Sequence, residues 1–224
     1  MIAPGAYTVL VRRRPCDWRV RTGHRPVNDP VALALPEGRH PIAVAGPPGS
    51  GKSVLAQRLA RSLTMAGRPA QVVAMDGFHL DNTLLDMRGL RAGKGAPETF
   101  DARGFHRLLA DIGAGGPVIF PQFDRARDLA VVGAGALAAQ TELVVVDGNY
   151  LLFDHPDWAP LAPLWALSIW LDVPDTVLRD RLLQRWRDHG FDKATATAKA
   201  EGNDLPNAEM IKAHRLPATI TLSS

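Results

Sequence analysis

The sequence predicts an α/β fold, a parallel sheet covered by helices on both faces. From Pro41 onward, apolar runs of strand length alternate with stretches that carry apolar residues at helical spacing. That alternation is satisfied by parallel strands joined through helices. Three of the apolar runs finish on an acid, at Asp76, Asp147 and Asp172, and in an open parallel sheet ligands lie beyond the carboxyl ends of the strands. A glycine-rich stretch, Gly46 to Ser53, separates the first apolar run from the first helical one.

Ile42-Ala43-Val44-Ala45 reads as a buried strand. Gly46, four residues and then Gly51-Lys52-Ser53 satisfy the spacing of a phosphate loop. Gly46, Gly49 and Gly51 lack a Cβ, so the backbone can turn successive N–H groups toward phosphate oxygens. Lys52 adds a full charge to the positive end of the following helix, where β- and γ-phosphates would lie. Ser53 offers a hydroxyl to magnesium. The expected nucleotide contacts are Gly46, Pro47, Gly49, Ser50, Gly51, Lys52, Ser53 and Val54. A glycine-rich turn that binds nothing would carry the same letters. The flanks supply the context the motif requires, because Val54 to Met65 reads as an amphipathic helix with Leu55, Leu59 and Leu63 on one stripe. Gly67 fits its C-terminal cap.

Gln71 to Met75 is the second strand, ending on Asp76. Residues 77–103 show no period, and so long an irregular segment in a compact domain is either disordered or functional. Phe105 to Ile112 reads as a helix and Pro117 to Phe120 as a strand, whereas 129–140 are small and apolar without a clear element. Glu142 to Val146 is the strongest strand signal and leads into Asp147-Gly148-Asn149-Tyr150. A proline-broken connection, Trp158 to Trp165, precedes the strand Leu167 to Leu171. Pro174 opens a helix that runs to about His189 and stops at Gly190. Two shorter helices near Lys193 to Glu201 and Ala208 to Arg215 flank 202–207, and Ala218 to Leu222 reads as a final strand. Of the N-terminal residues, Val31 to Leu35 fits a short helix or strand and Pro36-Glu37-Gly38 a turn.

Composition narrows the function. At 224 residues, 46% hydrophobic and 22% charged, the chain suits one sizeable α/β domain. The single Cys16 makes no internal disulfide, which points to a reducing cytoplasm. No apolar run approaches the roughly 20 residues of a bilayer span, and no long apolar stretch follows Arg12-Arg13-Arg14 as a secretory signal requires. The net charge of +3 is concentrated in residues 1–40, which carry seven arginines against Asp17, Asp29 and Glu37; the other 184 residues sum to −1. The excess therefore belongs to a solvated basic arm, and neither a nucleic-acid nor a membrane partner is expected.

The three strand-end acids differ in promise. A metal–nucleotide site needs a carboxylate for magnesium, and a kinase also needs one to deprotonate the attacking hydroxyl. Asp147 has the setting of the first and Asp76, opening the long irregular segment, that of the second. Asp172 precedes Val173-Pro174 and is better explained as a cap or turn residue. On the helix from Pro174, Arg181 and Arg185 share a face. A solvated face accounts for them, and so does a lid over the transferring phosphoryl group.

Five blocks in order carry a resemblance: the phosphate loop, Met75-Asp76-Gly77-Phe78-His79-Leu80-Asp81-Asn82, residues 94–101, Pro121-Gln122-Phe123-Asp124-Arg125 and Val146 to Leu152. Together they resemble the P-loop kinases that group uridine kinase, phosphoribulokinase and bacterial pantothenate kinase, and most of all the bacterial fructose-transport-system kinase-like branch. The resemblance spans residues 28–222, leaving 1–27 as the arm and 28–224 as the kinase domain. It implies a three-layer P-loop NTPase fold with a five-stranded parallel sheet and a helical lid, ATP with magnesium, and phosphoryl transfer to a hydroxyl. It places the base at Asp76 and the Walker B acid, commonly glutamate, at Asp147, which with Ser53 holds the metal. Lys52, Arg181 and Arg185 would stabilise the transferring group, and His79, Asp101, Arg125 and Tyr150 fall in blocks that line an acceptor pocket. Asn203, Asp204 and Asn207 match a recurring block near the lid, although a helix cap explains Asn207 equally well. Related kinases often form dimers or tetramers, so a homodimer is an expectation of the resemblance alone.

The expected function is an ATP-dependent kinase for a small hydroxylated metabolite, with nucleoside, pantothenate-like acid and sugar all open. A nucleotide hydrolase or nucleotide-gated regulatory protein is the rival. The guanine-reading Asn-Lys-x-Asp is absent, and Asp101-Ala102-Arg103-Gly104 follows no apolar strand.

Overall fold

The structure, a computed structural model, describes residues 38–223 together with the backbone of three earlier strands, Val9–Arg14 (β1), Asp17–Thr22 (β2) and Arg25–Pro26 (β3). The expectations for 31–37 lie outside the described residues. The remaining strands are His40–Ala45 (β4), Ala70–Ala74 (β5), Val118–Asp124 (β6), Leu129–Leu137 (β7), Leu143–Gly148 (β8), Leu167–Asp172 (β9) and Ile220–Ser223 (β10). The helices are Lys52–Met65 (α1), Asn82–Met87 (α2), Ala102–Ala114 (α3), Asp175–Asp188 (α4), Lys193–Lys199 (α5) and Leu205–Ala213 (α6).

Five strands form a parallel sheet in the order β10-β9-β4-β8-β5. The segment read as a basic arm continues it, with β1 parallel to β10 and β2 and β3 antiparallel beyond. The alternation Trp18-Arg19-Val20-Arg21 is a strand period that the sequence reading passed over.

Alternation along the central strands builds the three layers. Ile42 and Val44 of β4 pack with Leu55, Ala56 and Leu63 of α1, while Ala43 and Ala45 face the cluster of Phe105, Leu109 and Ile112 on α3. All six residues of β8 are buried, as a strand covered on both faces demands. Among the described residues no helix is long and apolar enough to cross a membrane.

Three expectations are corrected. Residues 77–103 are largely ordered: a 3-10 turn at Met75–Phe78, α2, and two further 3-10 turns at Arg91–Gly93 and Pro97–Thr99. Local caps, not long-range periodicity, hold them, since Asp81 accepts from the Thr83 N–H at 2.8 Å. Residues 129–140, left without an element, supply β7, which pairs with β6 as a two-stranded antiparallel hairpin. The break expected at 202–207 is closed, because α5 runs through a π turn at Ala200–Asp204 directly into α6. Pro206 has no N–H for an uninterrupted ladder, and a π turn is one way to absorb that loss.

Contact between the hairpin and the end of β5 is close. A Cβ on Gly77 would lie 2.2 Å from the Pro121 carbonyl oxygen. Gly77→Ala is therefore expected to push β6 off the strand end and destabilise the protein by about 1–3 kcal/mol or more, measured by denaturant unfolding.

Candidate functional site

The phosphate loop leaves β4 at Gly46 and enters α1 at Lys52. Gly49 and Gly51 take φ values of 78° and 91°, the left-handed region that a side chain disfavours. A Cβ on Gly46 would meet Ser50 Oγ at 2.8 Å and Leu171 Cβ at 3.2 Å. Ser50 Oγ is buried with no hydrogen-bond partner among the described residues. Among the described residues the Lys52 ammonium donates to the Pro47 carbonyl alone, at a long 3.5 Å. Burial lowers its pKa, against the opposing pull of Asp76 and Asp147, and the nearby Arg185 and Arg125 lower it further. A cation desolvated in this way is poised for an anion. Val54 is exposed, so only its main chain can serve the loop.

Register brings the Walker B acid to the loop. Asp147 on β8 lies opposite Val44 on β4 and Ala74 on β5, and Ser53 Oγ donates to Asp147 Oδ2 at 2.5 Å. Burial raises the pKa of Asp147, with the Ser53 hydrogen bond and Lys52 acting in the other direction. A hydroxyl and a carboxylate are hard oxygen donors that suit magnesium, which completes its shell with phosphate and water oxygens. Among the described residues no set of three or more His, Cys, Asp or Glu forms a metal cage. Magnesium, if held here, is held by Ser53 and Asp147 together with a nucleotide.

Asp76 stands in the 3-10 turn after β5, where Arg125 of the β6–β7 hairpin donates to its Oδ2 at 2.8 Å. The Nδ1 of His79 lies 2.9 Å from the Asp76 carbonyl oxygen. Its ring packs on Phe100 and Phe123, with centroids 4.0 and 4.7 Å away, and burial lowers its pKa. These groups line a cavity of about 1130 Å³, together with Arg185, Asn203 and Asn207.

The two arginines of α4 do different things. Arg181 Nη1 donates to the carbonyls of Gly49 and Ser50 at 3.2 Å, bracing the phosphate loop from outside. Arg185 lines the cavity, and its Nη2 donates to both Asp204 oxygens at 2.8 and 2.9 Å.

Two residues expected in the acceptor pocket are not brought there. Asp101 caps α3, accepting from the Gly104 N–H at 2.8 Å. Tyr150 is buried and donates through its hydroxyl to the Gly95 carbonyl at 2.6 Å. Both support the walls. The loop cations Arg91 and Lys94 converge on Asp128 and Asn82, so their charge is largely met within the protein. Sequence reading missed Asn149, which lines the cavity and whose buried Oδ1 has no partner among the described residues. Its place two residues after Asp147 was the available signal.

Comparison with known proteins agrees with this geometry. A family model described as an AAA domain matches residues 42–198. The uncharacterized protein YggC of Escherichia coli K12 is 37% identical over 180 residues, covering 79% of this chain and 74% of YggC. A Schizosaccharomyces pombe protein provisionally named a uridine kinase is 30% identical over 206 residues, covering 87% of each. A crystal structure from Silicibacter sp. TM1040, of a protein provisionally named a fructose transport system kinase, superposes with a TM-score of 0.81 at 53% identity, covering 82% of this chain and 89% of that one. With a phosphate loop whose Ser53 meets the strand-end Asp147, and Asp76 at the end of the neighbouring strand, the chain belongs to the P-loop kinase superfamily that includes uridine kinase, phosphoribulokinase and bacterial pantothenate kinase.

Proposed function

We propose that this protein transfers the γ-phosphoryl group of ATP to a hydroxyl of a small metabolite. The observation that carries the reading is that Asp76 lines a roomy cavity together with Pro48 of the phosphate loop and Arg185. A hydrolase needs no chamber of this size for a second substrate.

In this reading the loop amides and Lys52 hold the β- and γ-phosphates. Ser53 and Asp147 would hold magnesium, which when bound would neutralise phosphate charge. The acceptor hydroxyl lies against Asp76, which takes its proton as the acceptor oxygen bonds to the γ-phosphorus and the bond to the β–γ bridging oxygen breaks, releasing ADP. Arg125 holds the Asp76 carboxylate in place before the acceptor arrives. His79 has a lowered pKa and so enters as the neutral ring, and its contact with Phe100 and Phe123 gives the acceptor a flat, partly apolar wall. Arg185 neutralises charge that develops on the transferring group.

The test is ADP release from MgATP across a panel of nucleosides, sugars, sugar acids and pantothenate-like acids. One acceptor class is expected to raise turnover well above the acceptor-free rate and to yield a phosphorylated product. ADP and free phosphate formed at the same rate with every compound would assign the site to hydrolysis instead.

A further inference from the structure

The Asn203-Asp204 block was legible as a motif without a purpose. The π turn that carries it supplies one. A π turn adds one residue to the helical ring, and such turns recur at functional sites. Here it puts two consecutive polar side chains onto the cavity wall with different targets. Asn203 Nδ2 donates to the Lys94 carbonyl at 2.9 Å, and Asn207 Nδ2 donates to Asn203 Oδ1 at 3.2 Å. Asp204, whose side chain is 10% exposed, accepts from Arg185 and also from the Trp186 indole N–H at 2.6 Å.

Among the described residues the bond between Asp204 and Arg185 passes through Nη2. A guanidinium presents five N–H donors in a planar fork, so Nε and Nη1 remain for another oxygen. Arg185 also lines the same cavity as Asp76 and as Pro48 of the phosphate loop, which puts it on the side where the γ-phosphate is expected. The segment at the other end is equally fixed: Lys94 is tied through its ammonium to Asp128 at 2.8 Å, and Gly95 is tied through its carbonyl to Tyr150.

We propose that Asp204 is the positioning residue that aims Arg185 at the γ-phosphoryl group, and that Asn203 docks the same turn on the main chain at Lys94, so that the acceptor wall and the arginine are set as one unit. The inference rests on the kinase reading above and adds to it a pair of residues that act through Arg185 and the main chain at Lys94.

The experiment measures the affinity of the full chain for Mg-bound ADP and for the non-hydrolysable imido analogue of ATP, by calorimetry, in wild type, Arg185→Ala, Asp204→Asn and the double variant. The wild type is expected to prefer the triphosphate analogue. Asp204→Asn keeps the shape of the side chain but loses its charge, and should cut that preference roughly tenfold, the scale of one charge-assisted hydrogen bond, with ADP affinity unchanged. In the double variant the loss should not exceed that of Arg185→Ala, because the two residues act through one contact. Asn203→Ala should weaken the preference less and, in hydrogen exchange, deprotect the amides of residues 93–99. A purely structural role would lower ADP and analogue affinity together. An unchanged or increased preference in Asp204→Asn, or additive losses in the double variant, would overturn the inference while leaving the kinase reading intact. A wild type that binds neither nucleotide would overturn both.

Discussion

Asp76→Asn is expected to lower phosphoryl transfer by about 10²–10⁴-fold, the usual contribution of a positioned general base, while MgATP binds with near wild-type affinity. The carboxamide keeps the shape of the carboxylate and still accepts a hydrogen bond from Arg125, but it cannot take a proton from the acceptor. Nucleotide affinity is spared because the phosphate contacts lie on the loop and on Lys52, and because removing a negative charge beside the triphosphate does not repel it. Stability is spared as well: the Arg125 side chain is 67% exposed, and an ion pair with so exposed a partner contributes at most about 1 kcal/mol. The measurements are kcat with whichever acceptor the panel identifies and calorimetry with MgATP. Unchanged turnover would remove Asp76 from the role of base; a parallel loss of binding and turnover would place it on the nucleotide instead.

The parts of this site visible in the sequence are those written in short, local patterns. The phosphate loop fits within eight residues, and Asp147 and Asp76 are marked by the apolar strands that end on them. Their meeting depends only on the strand order that parallel connections favour. What stayed hidden depends on pairing between distant segments. Nothing local to Asp101 separates an acid that caps a helix from one that faces a substrate, since either precedes the same letters. Tyr150 follows Asp147 by three residues, yet its ring turns into the core and its hydroxyl is spent on Gly95, 55 positions earlier. Arg181 and Arg185 share a helical face, but Arg181 ends on the carbonyls of the loop and Arg185 on Asp204, a division set by the packing of α4 between two other elements. The strand β7 lacks large apolar residues over Gly133 to Ala136, so its pairing with β6 left little periodic trace.

Lys52 gives the other large effect, and its sign with pH separates a binding role from a structural one. Lys52→Met replaces the ammonium with an apolar group of similar length. Charge-assisted hydrogen bonds to phosphate are worth about 1.5–3 kcal/mol, so nucleotide affinity should fall by roughly ten- to a hundredfold. Turnover should fall by about a further 10²–10³-fold, as when a preorganised donor to developing charge is lost. The nucleotide-free variant should melt no lower than wild type, because burial already disfavours the charged lysine and its one hydrogen bond, to Pro47, is long; the rise in melting temperature on adding MgATP should largely vanish. In the wild type the lysine must be protonated to hold phosphate. Below its lowered pKa it is already charged and affinity is flat with pH; above that pKa each binding event takes up a proton and affinity declines. Because burial sets that pKa below the ordinary lysine range, the decline should begin at a less alkaline pH than a surface lysine would give, and it should be absent in Lys52→Met. Calorimetry in two buffers of different ionisation enthalpy reads the proton uptake directly, and a variant whose affinity still fell over the same pH range would show that another group, not Lys52, governs the grip on the triphosphate.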